Sequence, residues 1–479
     1  MRFFTFVAQR SYRLPTTKWL SWGFLVDGLP RMLRCLLLTF VLLLSGCASM
    51  SLFSPYPSQA QAWKQAVVQG QGERALTDIS QRAKGGDQLL YSLEAGRVAQ
   101  LMGKTEVSSK WFEQAAQTYD SIDVAARIRA SGLAQSTVAL VTNDNAIHYQ
   151  APPYERIFSY TFQALNYLAQ GDDVGASVEF RRVDHTQRQQ ELDHQKQIAK
   201  AEAKNDDKDS VDTSKYDGYF QGLNGAAALV RSGIQNAYSF YVSAAFWEGR
   251  GDYNDALVDY KQALQILPDA DFIKADVQRV SAKLNGKRSK KGLLVVALEQ
   301  GFVPARQPVG IPIPTTQGTV VINFPTYQLN NMRNPLPMRV RAADQYATTQ
   351  PLARVDAIAA RALKEEIPGI LTRQILRTTA KYALQKEANK NFGLLGAFAT
   401  QIYNLVSEQA DLRSWLTLPA NAQVARVVLP AGEQSVELSL PGGNANLTVP
   451  IAANGVTLLR VIDVGGRLIT QVMPIRQED

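Results

Sequence analysis

Across residues 237–268, apolar positions recur at helical spacing on either side of a Gly251-Asp252 pair. Bulky Phe240, Trp247 and Tyr260 stand beside small Ala244, Ala256 and Ala263, and Pro268 closes the run. A period near 3.6, broken once by Gly-Asp, predicts two helices joined by a tight turn, with the small residues where they cross. The pattern returns at 154–183, where Tyr160, Ala164, Tyr167, Ala176, Phe180 and Val183 flank Gly171-Asp172. It returns again at 89–115 through Gly96, Ala99, Ser108, Phe112 and Ala115. Another helix is predicted over 122–141, and the charged run at 196–215 reads as an exposed loop or frayed helix end.

After Asn285-Gly286 and the cationic stretch 287–291, the pattern changes to strands. Residues 292–301 read as a buried strand and 319–324 as another, while 303–314 holds too many prolines for a central strand. A helical insertion is predicted at about 352–408. Its first helix, 355–366, is expected to stop at Pro368-Gly369, and its second, 370–390, carries Arg373, Arg377 and Lys381 on one face. The strongly apolar run 392–406 follows. From 425 onward, strands are predicted at 427–429, 436–440, 447–449, 456–464 and 468–473, with Gly465-Gly466 as a hairpin turn. The expected fold class is α+β and multidomain: a helical domain at 61–285, and a β-sandwich-like domain with a helical insertion at 286–479.

The 237–268 unit resembles a tetratricopeptide (TPR) repeat, whose period is about 34 residues. Ala256, Tyr260, Ala263 and Pro268 fall at that family's offsets. The resemblance implies an N-terminal α-solenoid of TPR-like hairpins that binds proteins or peptides on a concave face lined by the first helix of each pair. On that geometry Arg97, Gln100, Tyr238, Tyr241 and Glu248 are the expected partner-binding residues. The alternative is that the tyrosines pack against an adjacent helix or the C-terminal domain.

At the N-terminus, Met32-Leu33-Arg34 precedes a run at 35–44 that is apolar apart from Thr39, and Leu44-Ser45-Gly46-Cys47 follows. The run is short for a bilayer span and has the features of a signal peptide. Leu44 to Cys47 resemble the bacterial lipobox. That resemblance implies cleavage before Cys47, acylation of Cys47, and attachment to outer-membrane lipid, since Ala48 and not an acid follows. Residues 1–46 are thus the expected signal peptide, with translation starting at Met32, and 47–60 the lipidated tether. This changes the meaning of the net charge of +8: six cations and one acid precede Cys47, so only +3 belongs to the remainder. A nucleic-acid partner is therefore not expected.

The sequence offers little chemistry. His148, His185 and His194 share no helix face, so no metal is expected. No GxSxG, P-loop or HExxH motif is present, and neither a catalytic residue nor a cofactor is expected. Glu299-x-Gly301-x-x-Pro304, IPIP at 311–314 and ADLRSWLTLP at 410–419, with 144–156 and 165–183, resemble an uncharacterised family of bacterial outer-membrane lipoproteins with an N-terminal repeat region. Leu412 stands where that family is expected to carry threonine. The resemblance implies an association with lipoproteins that regulate peptidoglycan synthases, and no activity. The expectation is a non-enzymatic, lipid-anchored periplasmic scaffold for an envelope protein, with peptidoglycan as a further candidate partner. A glycan-binding or polysaccharide-export accessory lipoprotein is the alternative, and a cell-wall hydrolase stands third.

Overall fold

The computed structural model describes residues 55–130, 148–204, 214–315, 318–375, 377 and 410–476. Cys47, Lys381 and the run 392–406 lie outside these residues. From Pro55 to Asp479 the chain is one compact unit, so the boundary expected at 285/286 is a change of secondary structure within a shared core.

The helices are α1 (Tyr56–Val68), α2 (Gly72–Arg82), α3 (Gln88–Leu101), α4 (Thr105–Ala130), α5 (Pro153–Ala169), α6 (Asp173–Lys204), α7 (Gln221–Ala227), α8 (Ala237–Arg250), α9 (Tyr253–Ile266) and α10 (Asp271–Leu284). α3 pairs with α4, α5 with α6, and α8 with α9 as helical hairpins. In the last of these, Asn236 caps α8 by accepting the Ser239 amide at 2.7 Å, and Gly251 ends it in the left-handed conformation, φ 93°. Gly96 is small because α3 and α4 touch there: a Cβ would lie 2.8 Å from the Phe112 ring.

Three helices differ from their predicted bounds. α1 begins at Tyr56, inside the expected tether, because Pro57 sits in the first turn, where its missing N–H is no loss, and Tyr56, Ala60, Trp63 and Val67 make a buried stripe. α4 runs unbroken from Thr105 to Ala130, since no Gly or Pro interrupts it, so 122–130 continues this helix, and 131–141 lie outside the described residues. α6 continues to Lys204, supported on its polar surface by bonds such as Gln189 to Asp193 (3.0 Å) and Gln195 to Glu191 (3.0 Å).

The strands are β1 (Lys291–Gln300), β2 (Gln307–Thr315), β3 (Gly318–Thr326), β4 (Arg339–Ala342), β5 (Gln345–Thr348), β6 (Gln350–Arg354), β7 (Asn421–Pro430), β8 (Gly432–Leu440), β9 (Gly443–Ile451), β10 (Val456–Val464) and β11 (Arg467–Ile475). One sheet has the order β11-β10-β1-β7-β6, with β1 and β10 parallel. A second has the order β5-β4-β8-β9. Among the described residues proline-rich β2 pairs only with β3, a ribbon that asks little of the missing amides. Gly465 (φ 62°) and Gly466 (φ 93°) turn β10 into β11, the double positive φ of a two-residue hairpin.

The period of two along β1 sorts its side chains into two cores. Leu294, Val296 and Leu298 meet Val340, Val436 and Leu438 of the four-stranded sheet. Leu293, Val295 and Ala297 face the helices. The molecule is therefore α+β, with the five-stranded sheet lying between helices on one face and strands on the other. β4, β5 and β6 were not evident in the sequence, and β6 takes the first residues of the insertion expected to be helical from about 352.

Residues 355–375 form one helix, α11, which runs through Pro368-Gly369 where a stop was expected. Leu363, Ile367 and Leu371 are buried on both sides of the proline, and that packing outweighs the roughly 3 kcal/mol an interior proline costs. Arg373 is exposed on this helix, while Arg377 is buried and donates to Gln374 at 3.3 Å.

Candidate functional site

The five residues expected to line an open concave face lie inside the molecule. Arg97, Gln100, Tyr238, Tyr241 and Glu248 are at most 4% exposed. β1 carries Glu299 on the strand face that meets the helices, and two guanidinium groups converge on it. Arg97 Nη1 donates to one carboxylate oxygen; Arg460, from β10, donates to both at 2.7 and 3.0 Å. Tyr238 Oη donates to Glu299 at 3.4 Å, and Gln100 accepts from Arg460 at 3.0 Å while donating to Asn166 at 2.7 Å. The guanidinium carbons of Arg97 and Arg460 lie 4.6 and 5.3 Å from the centre of the Phe162 ring. Burial pushes the Glu299 carboxyl up, but Arg460 and Arg97 outweigh it and hold it below the usual carboxylate range.

Tyr241 and Glu248 are occupied by α10. Glu248 accepts from Arg279 at 2.6 and 2.9 Å, from Lys283 at 2.9 Å and from Tyr260 at 3.0 Å. Burial opposes its charge, yet Arg279 and Lys283 bring its pKa down to about 2. Tyr241 donates to Asp276 at 2.6 Å. These residues join the helices to one another and to the sheet. An external partner on this face would have to displace the chain's own core.

The segment 410–419 shows what its composition is for. It lies across α3 and α5, and two buried acids receive its backbone. Glu94 accepts the amides of Leu416 and Thr417 at 2.7 and 3.1 Å, together with the hydroxyls of Tyr56 and Thr417. Glu155 accepts the Trp415 amide at 2.9 Å and the hydroxyls of Tyr154 (3.1 Å) and Tyr149. Burial raises both acids, Glu155 to about 7. The Trp415 ring meets Phe112 and Phe162 edge-on at 5.8 and 6.0 Å. Neither acid was singled out from sequence. Each sits among apolar residues within a helix, and that was the available signal.

Beside this segment opens a polar cleft of about 280 Å³, bordered by His148, Arg306, Glu366, Arg373, Asp411 and Arg413. Arg413 is held between Asp87 and Asp411, each at 2.7 Å. His148 Nδ1 is 2.8 Å from the Gly86 carbonyl oxygen. Arg306 is 8% exposed, and its Nε has no hydrogen-bond partner; the same holds for the buried Tyr327 hydroxyl and Ser414 hydroxyl. Among the described residues no cluster of three His, Cys, Asp or Glu could hold a metal, and no helix is long and apolar enough to cross a membrane.

No family model, no curated protein and no solved structure matches the chain.

Proposed function

We propose that the protein is a lipid-anchored periplasmic scaffold of the outer membrane. In this reading it is held by acylated Cys47 and docks a protein of the cell envelope, one of the peptidoglycan machinery. The α-helical half is read as a TPR-like solenoid and the two packed sheets as a sandwich-like module; the lipoprotein family resemblance points the same way. The observation that supports a binding role over a hydrolytic one is how the buried acids are used. Glu94, Glu155, Glu248, Glu299 and Asp276 all end on amides, hydroxyls or cations of the same chain, bracing the fold.

Because the inner face of the helical layer is filled, the docking surface belongs on the outer helices or the second sheet. The test is photo-crosslinking in cells from exposed positions on both, Val178 of α6 and Tyr346 of β5. Recovery of one envelope protein from one of the two positions is expected. Labelling of no specific protein from either would overturn the docking role. Anchoring is tested separately: Cys47→Ala should move the protein from the membrane to the soluble fraction, and retention on the membrane would reject the lipid anchor.

A further inference from the structure

Between Arg279 and Lys291 the chain carries six cations and no acid. Like charges gathered by folding repel one another, yet the fold bends this run around a cleft instead of dispersing it. The cleft has a volume of about 390 Å³ and lies where the end of α10, the linker after it, the start of β1 and the turn between β9 and β10 meet. Ala275, Ala282, Leu293 and Val428 supply its apolar surface, and Lys287, Arg288 and Lys291 stand around them. Residues 284–291 are exposed without a break, so this rim faces solvent.

The charges here do not balance. Glu248 is the one acid that lines the cleft among the described residues, and it is already met by Arg279 at 2.6 Å and Lys283 at 2.9 Å. Asp276, on α10, is met by Arg279 and, at 2.9 Å, by Arg426. Two acids are thus matched by three cations. Lys287, Arg288 and Lys291 make no ion pair among the described residues. Arg288 closes the end of α10 by donating to the Lys283 carbonyl oxygen at 3.1 Å, which satisfies a hydrogen bond and leaves its charge over. Among the described residues no aromatic ring lines the cleft, so a nucleobase would find no stacking platform. Long cationic side chains above an apolar floor match an anionic headgroup joined to hydrocarbon.

We propose that this face of the protein contacts a membrane surface rich in anionic phospholipid, with Lys287, Arg288 and Lys291 around the phosphate of a headgroup. The contact is separate from the acyl anchor and from the protein docking surface, and each can fail without the others.

The experiment is flotation of residues 48–479 with lipid vesicles. This chain keeps the whole compact unit from Pro55 onward and has no Cys47 to acylate. It should float with vesicles of phosphatidylglycerol in phosphatidylcholine and stay behind with phosphatidylcholine alone. A lysine at an anionic surface is worth roughly fivefold in binding, so Lys287→Gln combined with Lys291→Gln should weaken binding about 25-fold. Both side chains are exposed, so this variant should fold. Lys84→Gln combined with Lys110→Gln removes the same net charge from exposed positions elsewhere and should weaken binding at most about twofold. No binding to the anionic vesicles, equal binding to both kinds, or equal loss in the two variants would overturn the proposal. Thermal protection by sodium glycerol phosphate without flotation would assign the cleft to a soluble phosphate and would likewise overturn the lipid contact.

Discussion

Replacing Glu299 with glutamine tests how the two halves are joined. The side chain keeps its shape and its place on β1, but the carboxylate between Arg97 and Arg460 loses its charge. Both guanidiniums are at most 1% exposed, so water cannot take over. Removing one partner of a buried ion pair costs about 3–5 kcal/mol, and here one substitution leaves two cations uncompensated, so the upper end applies. The unfolding entropy sets the size of the thermal effect. At roughly 2.1 cal/mol/K per residue, a folded unit running from Pro55 to Asp479 gives about 0.9 kcal/mol/K. A loss of about 5 kcal/mol therefore lowers Tm by about 6 °C. The assay is calorimetry of the chain carrying Cys47→Ser, which under the proposed lipid anchoring removes the need for detergent. Adding Arg460→Gln to Glu299→Gln should recover part of the loss, since it removes one stranded cation. A Tm unchanged to within about 1 °C would refute the reading of a dry, ionised triad.

Three further outcomes follow from the structure. Glu155 and Asp259 are both raised to about 7 by burial, so the folded state binds their protons more tightly than the unfolded state does. Their contribution to stability is complete below about pH 4 and is lost as pH rises through 7; urea melts from pH 5 to 8 should show the decline, and Glu155→Gln should flatten it. Gly96→Ala places a Cβ 2.8 Å from the Phe112 ring, and the α3–α4 contact should lose about 1–3 kcal/mol by urea unfolding. Gly466→Ala combines φ 93° with a Cβ 2.7 Å from the Gly442 carbonyl oxygen and should cost at least about 1 kcal/mol by the same measurement, whereas Gly70→Ala, at φ 78° in open space, should cost less.

The helical hairpins, β1, β10 and the Gly465-Gly466 turn were legible because each rests on local periodicity or turn chemistry. Arg97 and Tyr238 were expected to face inward, with packing of the tyrosines against the C-terminal half as the alternative, but the particular group they meet was not foreseen. Its identity depends on Glu299, which lies 202 residues from Arg97, and no local pattern reports a pairing at that range. The apolar run of β1 already implied a strand covered on both faces, and the helices were the nearest cover. Pro368 was misread because a proline's cost is local while the packing of Ile367 and Leu371 that overrides it is not. Arg306 gave no sequence signal, because an orphaned donor is visible only when its neighbours are known.

The central strand has a further consequence for the order of assembly. β1 ends at Gln300, which pairs with Asn421 a further 121 residues along the chain, and Glu299 meets Arg460 only after 161. A chain emerging from its N-terminus thus presents the whole helical half, and then a bare apolar strand, before either flanking strand exists. Long-range pairing of this kind is slow to close. The fold therefore cannot lock before β10 has been made, and under the proposed export across a membrane a chain still open would be served by that delay.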